Sequence, residues 1–331
     1  MPAVLHDVEE LQPSESCSAV TEPRSRQAFY YCLTLAFIPL FAVVASFLIA
    51  RSGSYLPHQR NSYLAISDYP FTLKSADCEV IVYGDSSALT GVSPPVIEST
   101  THLRACNIAQ PNTALAIVGT FALDSYLQNN APPKFLIFQF TAPDFAPRDA
   151  KGRLYEEGAL QLARHRLDLD TLILFARHPM QTLEFSEFIL RTALVDRDWT
   201  RAGYDQAWAQ VRNSHGLFTA PGGPLKACAG DLEVRTPDAA YIAGLRSKYS
   251  RSQTRVLVYS APFPDCDPSY RYYSEKLTSL ADNPLRRFPI HMFNEQNHFT
   301  REGADLNSES IAQDIAHAFR SQAQLPSALQ N

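Results

Sequence analysis

Along the chain, apolar residues recur in runs of different length and period, and one run stands apart. Residues 28–50, AFYYCLTLAFIPLFAVVASFLIA, pass 23 positions without a charge. At ~1.5 Å rise per residue a helix of that length reaches about 34 Å, enough to cross a ~30 Å hydrocarbon layer with some tilt. Pro39 is tolerable there, because neighbouring groups in membrane helices re-satisfy the freed backbone. A cleaved signal peptide is the competing reading. The long polar lead, the length of the run and Leu48 in place of a small residue ahead of Arg51 favour an uncleaved anchor.

Residues 1–27 are polar and proline-containing and read as a tail; residues 51–76 lack sustained periodicity and read as a stalk or packing segment. From position 79 the pattern changes. A short apolar run at 79–83 leads into the turn-rich GDSSALTGVSPP, then a helix-sized stretch, then a second apolar run at 103–108. A helix is expected at 111–129, with Pro111 in its first turn, and a strand at 135–140, whose FLIFQF has the continuous apolarity of a strand buried on both faces. Residues 153–213 carry helical spacing and interrupt this rhythm as a helical insertion, a lid or partner surface. The alternation resumes with a helix at 237–249, a strand at 255–259, a helix at 269–281, a strand at 288–292 and a helix at 301–320 that sets Ile311, Ile315 and Phe319 on one face. Strands alternating with helices predict a doubly wound, parallel five-strand α/β domain over 77–320, followed by a C-terminal tail at 321–331.

Composition adds exclusions. The 331 residues are 45% hydrophobic, ordinary for a chain with a real core, and the net charge of −5 comes without a basic stripe. Nucleic acid is therefore not an expected partner. Arg24 and Arg26 on one side of the apolar run face Arg51 and Arg60 on the other, so charge alone does not set its orientation. Of six cysteines, Cys78, Cys106, Cys228 and Cys266 lie in the soluble part without metal-type spacing, and neither a metal nor a cofactor is expected. Cys78 and Cys106 start neighbouring predicted strands, so a disulfide there is conceivable, with Cys228–Cys266 by elimination; four buried thiols are the alternative.

In open parallel sheets the functional crevice lies at the carboxyl ends of the strands, and the first strand ends in Tyr83-Gly84-Asp85-Ser86-Ser87. A serine acts as nucleophile when a base takes its proton, and Glu295-Gln296-Asn297-His298 offers one just before the last helix. Gly-Asp-Ser is also ordinary turn chemistry, and His102, His165, His178, His215 and His291 lack matching partners. Tyr270, Tyr272 and Tyr273 beside Arg271 would stack on sugar rings or fill core.

The GDS after the first strand and the carboxylate-x-x-His before the last helix together resemble the SGNH or GDSL hydrolase family, over roughly 77–319. The resemblance implies a three-layer α/β/α, flavodoxin-like fold with Ser86 as nucleophile, His298 as base and Glu295 as third member, where the family more often has Asp. It further implies Gly84, Asp85 and Asn112 around the oxyanion and substrate. Asn112 stands where the family has an oxyanion glycine, and Thr141-Ala142-Pro143-Asp144 replaces the Gly-x-Asn-Asp block, so Pro143 removes an asparagine donor. This erosion, the anchor and the phrase NHFTREGADL look like the anchored branch that works beside membrane O-acyltransferases in polysaccharide acylation. That branch implies a single-pass protein of the inner membrane with residues 1–27 cytoplasmic and the soluble domain periplasmic. It would be a serine-dependent O-acyltransferase or carboxylic ester hydrolase acting on a polysaccharide or acyl ester, or a catalytically inactive scaffold of an exopolysaccharide assembly.

Overall fold

The computed structural model describes residues 22–56, 62–148, 153–194, 201–220, 222–228, 234–250, 253–295 and 298–323. In chain order the elements are α1 (Glu22–Ser52), α2 (Ser62–Thr72), β1 (Val80–Gly84), α3 (Ser86–Gly91), α4 (Pro94–Thr101), β2 (Ala105–Asn107), α5 (Asn112–Val118), α6 (Phe121–Asn129) and β3 (Phe135–Phe140). Then follow α7 (Glu156–His165), α8 (Leu169–Arg177), α9 (Pro179–Leu194), α10 (Arg201–Asn213), α11 (Ala239–Tyr249), β4 (Arg255–Ser260), β5 (Phe263–Pro264), α12 (Tyr270–Leu277), β6 (Arg287–Phe288), β7 (Phe293–Glu295), β8 (His298–Phe299) and α13 (Arg301–Ala323).

The sheet is parallel and four-stranded, in the order β2-β1-β3-β4. Its strands are continuous apolar runs because both faces are covered. Val80, Val82, Phe135, Ile137 and Leu257 point to one side, where Ile311 and Ile315 of α13, Val211 of α10 and Ile66 of α2 meet them. Ile81, Tyr83, Leu136, Phe138 and Val258 point to the other, against Leu123 and Tyr126 of α6, Ile242 and Tyr249 of α11 and Tyr273 of α12.

Several expectations need correction. The five-strand sheet has four strands: the last expected strand, 288–292, survives as β6, two residues paired in parallel with β5 rather than with β4. Pro289 follows at once and cannot donate to a ladder, and a 3₁₀ turn at Ile290–Met292 takes over. The single helix expected at 111–129 is two, broken at Gly119, whose φ of +53° ends α5. Phe319 does not join Ile311 and Ile315 in the core; it is 46% exposed, with the Lys134 ammonium over its ring. Within 51–76, read as a stalk or packing segment, α2 packs into the domain, where its Ile66 and Tyr69 join the core.

The apolar run forms α1, and residues 26–52 of this helix are long and apolar enough to cross a membrane. Its large side chains are not core: Phe29, Tyr30, Tyr31, Phe37, Ile38 and Phe41 are all more than half exposed. Only its C-terminal end packs, where Ala50 joins Ala159 and Leu162 of α7 and Phe185 and Ile189 of α9 in a separate cluster.

Candidate active site

The chain leaves β1 toward β2 on one side and returns to place β3 on the other. Connections after β1 and β3 therefore diverge, which makes their carboxyl ends the switch point of the sheet. Ser86 is at that point, as the first residue of α3.

The corner is tightly determined. Gly84 has φ +153°, and a Cβ there would lie 1.8 Å from the Gln139 carbonyl oxygen on β3, so only glycine fits. Asp85 is fully buried and caps α3: its Oδ1 accepts from the Ser87 amide at 2.8 Å and the Ser87 hydroxyl at 2.5 Å. Its Oδ2 accepts from the Thr141 amide at 2.7 Å. Gly84 and Asp85 thus build the turn from inside, whereas the resemblance implied that they meet substrate. Ser86 is 7% exposed, and its hydroxyl makes no hydrogen bond among the described residues.

Behind the turn lies a charged network that the sequence reading missed. The Thr141 hydroxyl is 3.1 Å from Oδ2 of both Asp85 and Asp144, and one hydroxyl proton serves only one of them. Asp144 is gripped by Arg148 at 2.5 and 2.9 Å and approached by Arg235 at 3.7 Å. Burial, and then the Asp144 carboxylate nearby, push the Asp85 carboxyl up to about 7. The TAPD segment, read as an eroded donor block, is a 3₁₀ turn (Ala142–Asp144) that supplies Asp85 with its partners.

The histidine arrives on a hairpin. β7 and β8 pair antiparallel, with Glu295 opposite His298 in register. Phe293 and Phe299 anchor the hairpin, fully buried with ring centroids 4.8 Å apart, and Asn294 donates to the Ala220 carbonyl at 3.1 Å. The hairpin lies against α3: the Phe299 amide donates to Thr90 Oγ1 at 3.3 Å, and Gly91 leaves room for the Phe299 ring. Thr90 in turn donates to the Ser86 carbonyl at 2.9 Å. Ser86 and His298 are thereby brought to neighbouring elements, although no hydrogen bond joins them. His298 Nδ1 is 3.4 Å from the Tyr63 hydroxyl, and the Tyr63 ring stands edge-on to Phe218. No motif pointed to Tyr63; a lone tyrosine on a short helix carries no signal in one sequence.

Asn112 does not cap α5, since Pro111 holds that position and Asn112 is the first helical residue. Its side-chain oxygen is buried without a partner among the described residues, and a half-turn of the amide would present two N–H donors there instead. The preceding Gln110 ties this loop to the site, its amide donating to the Gly84 carbonyl at 3.0 Å.

Other candidates are structural. His165 stacks on Phe71 at 3.9 Å and bonds Asp68 at 2.5 Å. Tyr273 is buried, and the Tyr272 hydroxyl contacts Thr236. Both disulfides form, Cys78–Cys106 and Cys228–Cys266. Among the described residues, no group of three or more His, Cys, Asp or Glu is arranged to hold a metal. Comparison of the chain with protein-family models, with curated proteins and with solved structures gave no match.

Proposed function

We propose that the chain is a membrane-anchored, extracytoplasmic protein of SGNH type that transfers or hydrolyses acyl esters through Ser86. The observation that carries this reading is the packing of the His298 hairpin against α3, whose first residue is Ser86, at the sheet's switch point. Ser86 Oγ attacks the acyl carbonyl and passes its proton to His298 Nε2. Nδ1 must then carry a hydrogen and donate it in a hydrogen bond, which the Tyr63 hydroxyl 3.4 Å away can accept; the resemblance gives that role to Glu295. The tetrahedral oxyanion takes the Ser86 amide and the Asn112 side chain as donors. Collapse expels the leaving group, which takes the proton from His298; a sugar hydroxyl or water then accepts the acyl group from Ser86 by the reverse sequence. Proline at 143 has no N–H to give, and a missing oxyanion donor typically lowers rate by ~10² to 10³.

Two disulfides suit an oxidising compartment, which supports a periplasmic domain on an inner-membrane anchor with residues 1–27 cytoplasmic. The resemblance supports a polysaccharide as acceptor and a membrane-bound O-acyltransferase as partner. A non-catalytic scaffold is the second reading, favoured by the Ser86 hydroxyl having no hydrogen bond among the described residues.

The full-length protein in detergent, treated with a serine-directed fluorophosphonate and digested for mass spectrometry, separates the two. Label on the Ser86 peptide, lost in Ser86→Ala and in His298→Ala, is the expected result. An unlabelled, folded protein would move the assignment to the scaffold.

A further inference from the structure

We propose that α8 and α9 form a second membrane-embedded element, and that lipid acyl chains fill the groove between them and α1. The inference rests on α1 crossing a bilayer.

The groove holds about 580 Å³ and no charged residue lines it; Pro39, Val43 and Phe47 of α1 form one wall and Leu172, Phe175 and Leu183 the other. Pro39 lies about 16 Å along α1 from Ala50, at ~1.5 Å per residue. A bilayer that surrounds residues 28–50 therefore surrounds the groove, and α9 cannot stay in water while its Ser186 hydroxyl meets Ser46 of α1 at 2.9 Å.

One stripe of the hairpin's outer face agrees, beside exposed Asp170, Arg177, Glu184 and Glu187 that would turn to headgroups or water. On α8 the residues Leu169, Leu172, Ile173 and Ala176 follow i, i+3, i+4, i+7 spacing, and all four are exposed, while Thr171 and Phe175 turn inward. An apolar stripe at helical spacing ordinarily faces the core. Here it faces out, and Met180 at 68% exposure extends it onto α9. Arginines cluster at one end of the groove: Arg51 donates to the Arg164 carbonyl at 3.5 Å, and Arg164 to the Ala50 carbonyl at 3.3 Å. Arg166 follows, immediately before the groove residue Leu167. Such residues lie at headgroup depth, stems along apolar surface and guanidinium in water.

The side chains favour lipid over a covering helix. Helix pairs in membranes meet through small residues that let backbones approach, whereas this groove is walled mainly by Leu, Phe and Val.

The test places an environment-sensitive fluorophore on Leu172→Cys in the full-length protein with Cys17→Ala and Cys32→Ala, reconstituted in phosphatidylcholine vesicles. A second sample carries it on Phe37→Cys, within α1. Acyl-chain brominated lipid should quench both several-fold more than aqueous iodide does. Quenching of the Phe37 probe by bromolipid with iodide access at Leu172 would leave the anchor standing and overturn the proposal. Iodide access at both positions would overturn the anchor and the proposal with it. In native membranes, a Leu172 probe shielded from both quenchers would show that protein covers the stripe, which also overturns it.

Discussion

Ser86 sits on a corner that the central sheet over-determines, whereas His298 sits on a hairpin of short strands that two phenylalanine rings hold down. On the serine side, the Gly84 backbone lies against β3, and Asp85 is tied by three side-chain hydrogen bonds to Ser87 and Thr141 at 2.5 to 2.8 Å. On the histidine side, β8 is two residues long and its nearest bond to α3 is 3.3 Å. The placement of the proposed nucleophile is thus inherited from the core, and that of the proposed base from local packing. A site divided in this way can lose His298 by local opening while Ser86 stays in place.

The largest expected effect breaks the rigid half. Gly84→Ala forces a Cβ into the Gln139 carbonyl, and we expect a loss above about 4 kcal/mol, so that the protein is not recovered folded. Ordinary yield and a normal melting transition would show that the corner is softer than argued. Phe299→Ala acts on the other half and should cost about 3 kcal/mol, the low end for a buried phenylalanine because the hairpin can settle. If the halves are independent, this variant keeps the tryptic resistance of the sheet but loses fluorophosphonate labelling of Ser86; coincident loss of both would erase the distinction.

A pH-dependent effect reads the charge under the serine corner. The folded domain holds the Asp85 proton more tightly than the unfolded chain does, since burial raises this carboxyl to about 7. Its contribution to stability is therefore full below about pH 4 and is lost as pH rises through about 7, on the order of 4 kcal/mol. Asp68 works in the opposite sense: burial raises it, but hydrogen bonds from His165 and Arg164 hold it below its usual value. The informative quantity is the difference between wild type and Asp85→Asn in chemical denaturation at pH 4, 5.5 and 7. A difference that does not change with pH would remove Asp85 from the account.

How much of this was legible in the chain follows the same division. β1, β3 and β4 were readable because burial on both faces writes itself as unbroken apolar runs, and Ser86 followed from where β1 stops. The fifth strand was not, because Phe288, Ile290 and Met292 look like a strand and hide Pro289, which ends the pairing after Phe288. The helix at 111–129 concealed a break that one glycine's backbone sign decides. Tyr63 and the Thr141–Asp144 network stayed invisible because each joins segments far apart in sequence. Glu295 beside His298 was legible as spacing, and the register of β7 with β8 sets the two residues opposite each other.

The packing of α1 bears on how this protein can be handled. Ala50, Tyr55 and Leu56 are fully or nearly fully buried members of the cluster that contains Phe175, Phe185 and Ile189. The apolar helix is therefore a mount bolted into the domain rather than a rope tied to it. A chain cut at Arg51 to obtain a water-soluble form would keep Tyr55 and Leu56 but strip Phe47 and Ala50 from that cluster. It would open a greasy socket on the domain and invite self-association that has nothing to do with the intact protein.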